Sequence, residues 1–219
     1  MSDESLFREV DEEVRQEQFQ KLWKQYGNVF IALCLLVVVG VAGFKGWQYW
    51  QVKQSQSAGD AFFKAVALAA GTDADKAEAL QQFTSIDHTG FSQLARMREA
   101  ALLAAQGKLV EAVSAYDAVA ANASTSQPLR DLARIRAAYA LVDSAKPDAI
   151  AARVKDFDTL DNPWRHMARE ILLLSAWRAQ DYAAADAQVK AIMADAETPQ
   201  GVRQRALTFG DLLVPLVGK

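Results

Sequence analysis

From Val29 to Phe44 the chain runs for sixteen residues without a charge. As a helix rising ~1.5 Å per residue this covers about 24 Å, short of a hydrocarbon core of about 30 Å. Including Tyr26 to Asn28, and letting Lys45 reach back to the headgroups so that the span ends at Trp47, extends it to roughly 33 Å. Trp23 and Tyr26 precede the run and Trp47, Tyr49 and Trp50 follow it, so amphipathic rings stand at both headgroup levels. A helix buried in a soluble core needs no such paired girdles. A secretory signal begins basic and ends at a small-residue cleavage site, whereas here a 27-residue polar segment with an acidic net charge comes first and aromatic residues follow. The sequence therefore predicts a single-pass anchor at 28–50, an amphipathic segment at 1–27 and a larger domain at 51–219.

Lysine and arginine near the membrane ends set orientation. Arg8, Arg15, Lys21 and Lys24 lie before the anchor, against Lys45 and Lys53 after it. The bias places the N-terminus in the cytoplasm and the C-terminal domain across the membrane, in the periplasm of a bacterial cell. Cys34 lies inside the apolar run and no cysteine follows it, so an oxidising compartment is permitted. Before the anchor, Phe7, Val10 and Val14, then Phe19, Leu22 and Tyr26, recur at helical spacing. Two roles fit that stretch: an amphipathic helix on the membrane or a partner, and a partly ordered tail. Its four basic and seven acidic residues hold the chain's whole charge imbalance, leaving twenty of each sign beyond residue 27. A balanced domain lacks the basic patch that nucleic-acid binding requires, and no nucleic-acid partner is expected.

Beyond the anchor the chain is rich in alanine, with no period-two alternation, so helix is expected from about Ser55 onward. Helix starts recur. Pro128 in "STSQPL", Pro163 in "DNPW" and Pro199 in "TPQG" are 35 and 36 residues apart, each suited to a first helical turn. A fourth start, around Thr89 and Phe91, lies about one period earlier. Behind the starts come "LARMREAA" from Leu94, "LARIRAAY" from Leu132, "MAREILLL" from Met167 and a fainter "RALTFGDL" from Arg205.

The second half of each unit carries a small residue, a larger apolar one four later and another three beyond. Ala79, Phe83 and Ile86 follow this rule, as do Ala112, Tyr116 and Val119, and Ala185, Val189 and Ile192. At Ala149 it meets Arg153 and Asp156; a one-residue shift to Ile150, Val154 and Phe157 restores it, implying an insertion near Lys146 and Pro147. The expected fold is all-α: a transmembrane helix, then a solenoid of about four degenerate helix hairpins, closed by a capping helix from Gln200 to Val217.

The period, the two helices per unit and "AAQGKLVEAVSAYDAV" resemble the tetratricopeptide repeat. Gly107 matches its turn glycine, Ala112 its small residue and Tyr116 its aromatic, while the signature tryptophan and Leu-Gly are missing. With the acidic N-terminal segment, the anchor ending in "GWQYW" and the "LARxR" helices, the whole chain resembles a bacterial inner-membrane family, the ancillary subunit of the SecYEG translocon. The resemblance implies a protein beside the Sec translocon, associated with a membrane-anchored periplasmic prolyl isomerase and assisting newly exported, unfolded proteins. It implies no catalytic residue.

The residues themselves point away from enzymes. His88 and His166 are the only histidines, expected in solvated or capping roles, and no Gly-rich phosphate loop, HExxH or GxSxG occurs. No cofactor or metal is expected. Asp156, Asp158 and Asp161 do not have calcium-loop spacing and are expected in a solvated loop. Arg96, Arg98, Arg134, Arg136, Arg169 and Arg205 recur on first helices, which line the concave face of such solenoids. There they offer carboxylate recognition, or they pair with Asp131, Glu99 and Glu170 on solvated faces. Trp164 and Trp177 are expected to pack in the core. Ala42 and Gly46 form a small-xxx-small pair of the kind that brings membrane helices together.

Overall fold

The computed structural model describes the backbone of residues 3–217 and the side chains of residue 21 and residues 23–217. Among these residues all regular secondary structure is helical, in nine elements: α1 (Asp3–Ala69), α2 (Asp73–Ser85), α3 (Ser92–Ala105), α4 (Leu109–Ala121), α5 (Gln127–Leu141), α6 (Pro147–Val154), α7 (Arg165–Arg178), α8 (Tyr182–Ala194) and α9 (Gln200–Leu213). The chain divides into two compact units, residues 1–56 and 57–219.

In the first unit, α1 is long and apolar enough to cross a membrane, and only 6% of its most apolar stretch is buried. The side chains from Val29 to Phe44 are exposed, which is not how a soluble core helix stands in its own protein. Trp23, Tyr26, Trp47, Tyr49 and Trp50 are each more than half exposed. From Tyr26 to Trp47 the helix rises about 32 Å, which matches a hydrocarbon core with rings at either edge. The apolar spacing at Phe7, Val10, Val14, Phe19 and Leu22 falls on side chains outside the described residues.

The second unit is a run of helix hairpins whose neighbours in sequence are neighbours in space. Its first hairpin pairs the last turns of α1 with α2; α3–α4, α5–α6 and α7–α8 follow, and α9 closes the end. Four apolar clusters hold them, each joining one hairpin to the first helix of the next. Phe62, Ala65, Phe83 and Ala95 unite α1, α2 and α3. Ala100, Tyr116, Val119 and Ala137 unite α3, α4 and α5. Ile135, Ile150, Val154 and Ile171 unite α5, α6 and α7, and Leu173, Ala185, Ile192 and Ala206 unite α7, α8 and α9.

The small residue is what lets each pair close. Ala79, Ala112 and Ala185 are fully buried where paired helices meet, and Tyr116 is buried four residues after Ala112. Ala149, placed by the sequence in the same role, is instead exposed. Ile150, Val154 and Phe157 are buried in its stead, the one-residue shift that the sequence pattern called for, with α6 starting at Pro147. Two of the three prolines also sit differently from expectation. Pro128 is in the first turn of α5, but Pro199 is the N-cap of α9 and Pro163 lies just before the N-cap Trp164 of α7.

Two hairpin turns share one closure. At the end of α3, the Gly107 N–H donates to the Ala104 carbonyl at 3.0 Å and Lys108 N–H to Leu103 at 3.0 Å, with Gly107 at φ +75°. At the end of α7, Gln180 N–H donates to Trp177 and Asp181 N–H to Ala176, again at 3.0 Å, with Gln180 at φ 61°. Both are Schellman closures, which need a left-handed residue. Glycine takes that conformation freely, whereas a side chain costs about 1 kcal/mol or somewhat more. Gln180→Gly is therefore expected to raise stability by about 1 kcal/mol and Gly107→Ala to lower it by a similar amount. Thermal melts of the two variants, moving in opposite directions by a few degrees, check this.

Candidate interaction face

The arginines of the first helices divide into two groups. Arg134 of α5 donates to Asp156 at 2.9 Å, and its guanidinium lies 4.5 Å from the centre of the Phe157 ring. Arg169 of α7 donates from Nε to Asp158 at 2.9 Å and from Nη1 to Asp195 at 3.1 Å. Arg205 of α9 grips Glu170 of α7 through Nε and Nη2. By contrast, Arg96, Arg98 and Arg136 are exposed and form no hydrogen bond or ion pair among the described residues. Asp131 and Glu99, the expected partners, accept instead from Gln127 and Thr84.

The paired arginines fasten the C-terminal hairpins. Arg165, beside Arg169 on the first turns of α7, donates to Asp195 at 2.7 Å and also contacts Glu197, so one loop carboxylate receives two guanidinium groups. The Arg165 side chain is 8% exposed and that of Asp195 is 12% exposed. The hydrogen bond from Arg165 holds the Asp195 carboxyl well below the usual carboxylate range, and the Asp195 bond in turn raises Arg165. Arg203 of α9 ties the same loop by donating to the carbonyls of Met193 and Asp195. The aspartates at 156 and 158 stand exposed in the loop between α6 and α7, as expected, and there they also pair with arginines of two successive first helices.

A second network crosses three first helices. Tyr139 of α5 donates its hydroxyl to Glu170 at 2.8 Å, and Arg205 of α9 binds the same carboxylate, whose residue is 6% exposed. Burial, then the Glu170 bond, pushes the Tyr139 phenol up, while Glu170 raises Arg205. In the repeat alignment Glu170 stands where α5 has Ile135, so a charge occupies a core position and is satisfied from both sides.

The histidines differ from expectation at one site. His88 shapes the turn before α3, its Nδ1 accepting from the Gly90 N–H at 3.1 Å. His166 is buried. Thr198 uses its single hydroxyl proton on the Ile192 carbonyl at 2.8 Å, so at 3.2 Å from that hydroxyl oxygen His166 Nδ1 must be the donor. Burial, reinforced by Arg165, pulls the imidazole below its ordinary value. A group depressed in the folded state binds its proton more readily when unfolded, so it contributes stability above its unfolded pKa that is lost as pH falls. The melting temperature is expected to decline first as pH drops below about 6.5, through His166, and again below about 4, through Asp195. His166→Asn is expected to remove the first decline and keep the second.

Trp164 packs on the α5–α7 cluster; Trp177 meets Tyr182 and Phe209 at ring separations of 5.8 and 5.3 Å. Both tryptophans are core elements. At the other end of the unit, an open cavity of about 270 Å³ is lined by Val66, Ala69, Ala70, Phe83, Arg98, Ala101 and Leu102. Its one charged lining residue is Arg98.

Stacked helix hairpins, tied through loop carboxylates at one end and carrying free arginines and an open cavity at the other, define a helical-repeat scaffold of the kind that binds other proteins. The chain belongs to the tetratricopeptide repeat-like domain family, which matches residues 20–171. The match takes in the apolar segment of α1 as well as α2 to α6 and the first turns of α7. Domains of this type typically mediate protein–protein interaction rather than catalysis. No similarity to a curated protein or to a solved structure was detected.

The carboxylates and Arg165 that organise the C-terminal end were not foreseen as a unit. Asp158 sits in the loop between α6 and α7, and Asp195 and Glu197 in the loop between α8 and α9, so sequence spacing does not bring the two loops together. The usable signal was the two arginines at 165 and 169, one turn apart at the start of a helix that runs on into the apolar stretch Ile171 to Leu174, which require buried or loop-borne counter-charges.

Proposed function

We propose that this protein is a single-pass membrane protein that presents its repeat domain next to the Sec translocon, N-terminus in the cytoplasm and repeats on the periplasmic side. There it assists newly exported proteins together with a membrane-anchored prolyl isomerase. The observation that supports a membrane-anchored interaction protein is that a single family match embraces both the exposed apolar helix and the repeats behind it. The lysine and arginine bias around the helix supports the orientation, and the resemblance carried by "GWQYW" and the "LARxR" helices supports the place of action. The repeats supply recognition without chemistry.

An envelope-assembly scaffold would use the same architecture, and a regulatory domain facing the cytoplasm would follow from the opposite orientation. Two measurements separate these. A reporter active only after export, fused behind Lys219, is expected to be active; activity confined to a cytoplasmic reporter contradicts the orientation. Crosslinking in intact membranes followed by mass spectrometry is expected to recover translocon subunits and the prolyl isomerase. Recovery of envelope-assembly proteins alone favours the scaffold.

A further inference from the structure

Of the three stripe arginines left unpaired, one is placed unlike the others. Arg98 borders the cavity between the last turns of α1, α2 and α3, whose other lining residues are all apolar: Val66, Ala69, Ala70, Phe83, Ala101 and Leu102. The corresponding chemistry further along the solenoid is already used within the chain, since Arg134, Arg169 and Arg205 hold Asp156, Asp158 and Glu170. Arg98 has no such carboxylate among the described residues. The neighbouring carboxylate on its own helix, Glu99, is directed to α2, 3.3 Å from the Thr84 hydroxyl, and Glu78 of α2 faces Lys64 at 3.9 Å.

We infer that this cavity is a subsite for an extended polypeptide, taking one large apolar side chain while Arg98 binds a carboxylate two residues along the same segment. The cavity, open to solvent and about 270 Å³, is at the small end of the range for ligand sites, about 300 to 1,000 Å³, and has room for one large apolar side chain. The lining decides its character, because it offers apolar surface and one cation with no counter-ion of its own. The spacing follows from the backbone: in an extended chain residues i and i+2 point the same way, so a side chain in the cavity brings the second neighbour to the rim. Alanines at 69, 70 and 101 keep that opening unobstructed.

The inference rests on the proposed function only for the identity of the occupant, an unfolded exported chain. The test uses the full-length protein in lipid nanodiscs and short labelled Gly/Ser peptides carrying Leu-Ser-Asp, Leu-Ser-Asn, Ser-Ser-Asp or Leu-Ser-Lys, with binding read by fluorescence anisotropy. Leu-Ser-Asp is expected to bind about tenfold or more tightly than the asparagine or serine versions, the worth of a charge-assisted contact or a buried side chain. Arg98→Glu is expected to reverse the preference toward Leu-Ser-Lys, a gain that misfolding cannot produce. Ala101→Leu, which fills the cavity, is expected to abolish the advantage of leucine. Lys190→Glu, on the exposed side of α8 and remote from the cavity, is expected to leave binding unchanged. Equal binding of the aspartate and asparagine peptides, or Leu-Ser-Asp binding unaffected by Arg98→Glu, overturns the subsite. Translocon crosslinks that persist in Arg98→Glu while peptide selectivity is lost would show the place of action and the subsite to be separate properties.

Discussion

Phe83→Ala is expected to lower the stability of the repeat unit by about 3–5 kcal/mol, the cost of emptying a buried aromatic site. Phe83 is 1% exposed, its ring lies 6.1 Å from that of Phe62, and it holds the end of α1 to α2 and α3. Alanine removes the ring from a site whose neighbours, fixed on three helices, cannot collapse around the void. For a unit of this size the loss corresponds to a fall in melting temperature of roughly 6–20 °C. Because hairpins touch only their neighbours, the damage is expected to be local. Hydrogen exchange should show α2 and α3 opening while α7 to α9 keep their protection. Uniform loss of protection along the unit would mean that the hairpins do not behave as a chain of nearest-neighbour contacts.

The second large effect is expected at Glu170. Glu170→Ala leaves the partly buried Tyr139 hydroxyl without its acceptor and a space where the buried carboxylate stood, while Arg205, whose side chain is 58% exposed, can turn to water. The cost is expected at about 2–4 kcal/mol, below that of stranding a fully buried charge. Glu170→Leu combined with Tyr139→Phe is expected to return close to the wild type, because an apolar residue already serves at the matching position, Ile135. The pair of variants therefore separates a polar link that is costly to break from one that adds stability. A melt of Glu170→Ala within about 0.5 kcal/mol of the wild type would contradict the account.

Much of this fold is written in short-range pattern. Ala79, Ala112 and Ala185, each followed by apolar residues at the same offsets, mark the second helices, since only a small residue lets two backbones approach there. The repeated "LAR" text marks the first helices of α3 and α5 in the same way. The first hairpin was harder to read, because its first helix is the continuation of α1, which runs unbroken through residues 51–69. Ala149 itself does not pack, but the one-residue shift to Ile150, Val154 and Phe157 was legible, since only that register gives α6 an apolar stripe. The left-handed turn at Gln180 carried no signal, since glutamine stands where its counterpart has glycine. For the arginine face, spacing placed six residues on matching helices, but their partners lie 11 to 35 residues away in the chain. Period cannot tell a free guanidinium from a paired one; tertiary contact does.

The central claim is that the apolar helix holds the protein in the membrane and the repeat domain chooses its partners. The most direct measurement exchanges residues 28–50 for an unrelated single-pass apolar helix with the same flanking charges, then compares crosslinked partners in intact membranes with those of the wild type. The account predicts the same translocon subunits and prolyl isomerase in both, since the repeats are untouched and anchoring still concentrates them at the membrane. Loss of those partners with the repeat domain folded and correctly oriented would place recognition in the anchor and contradict it.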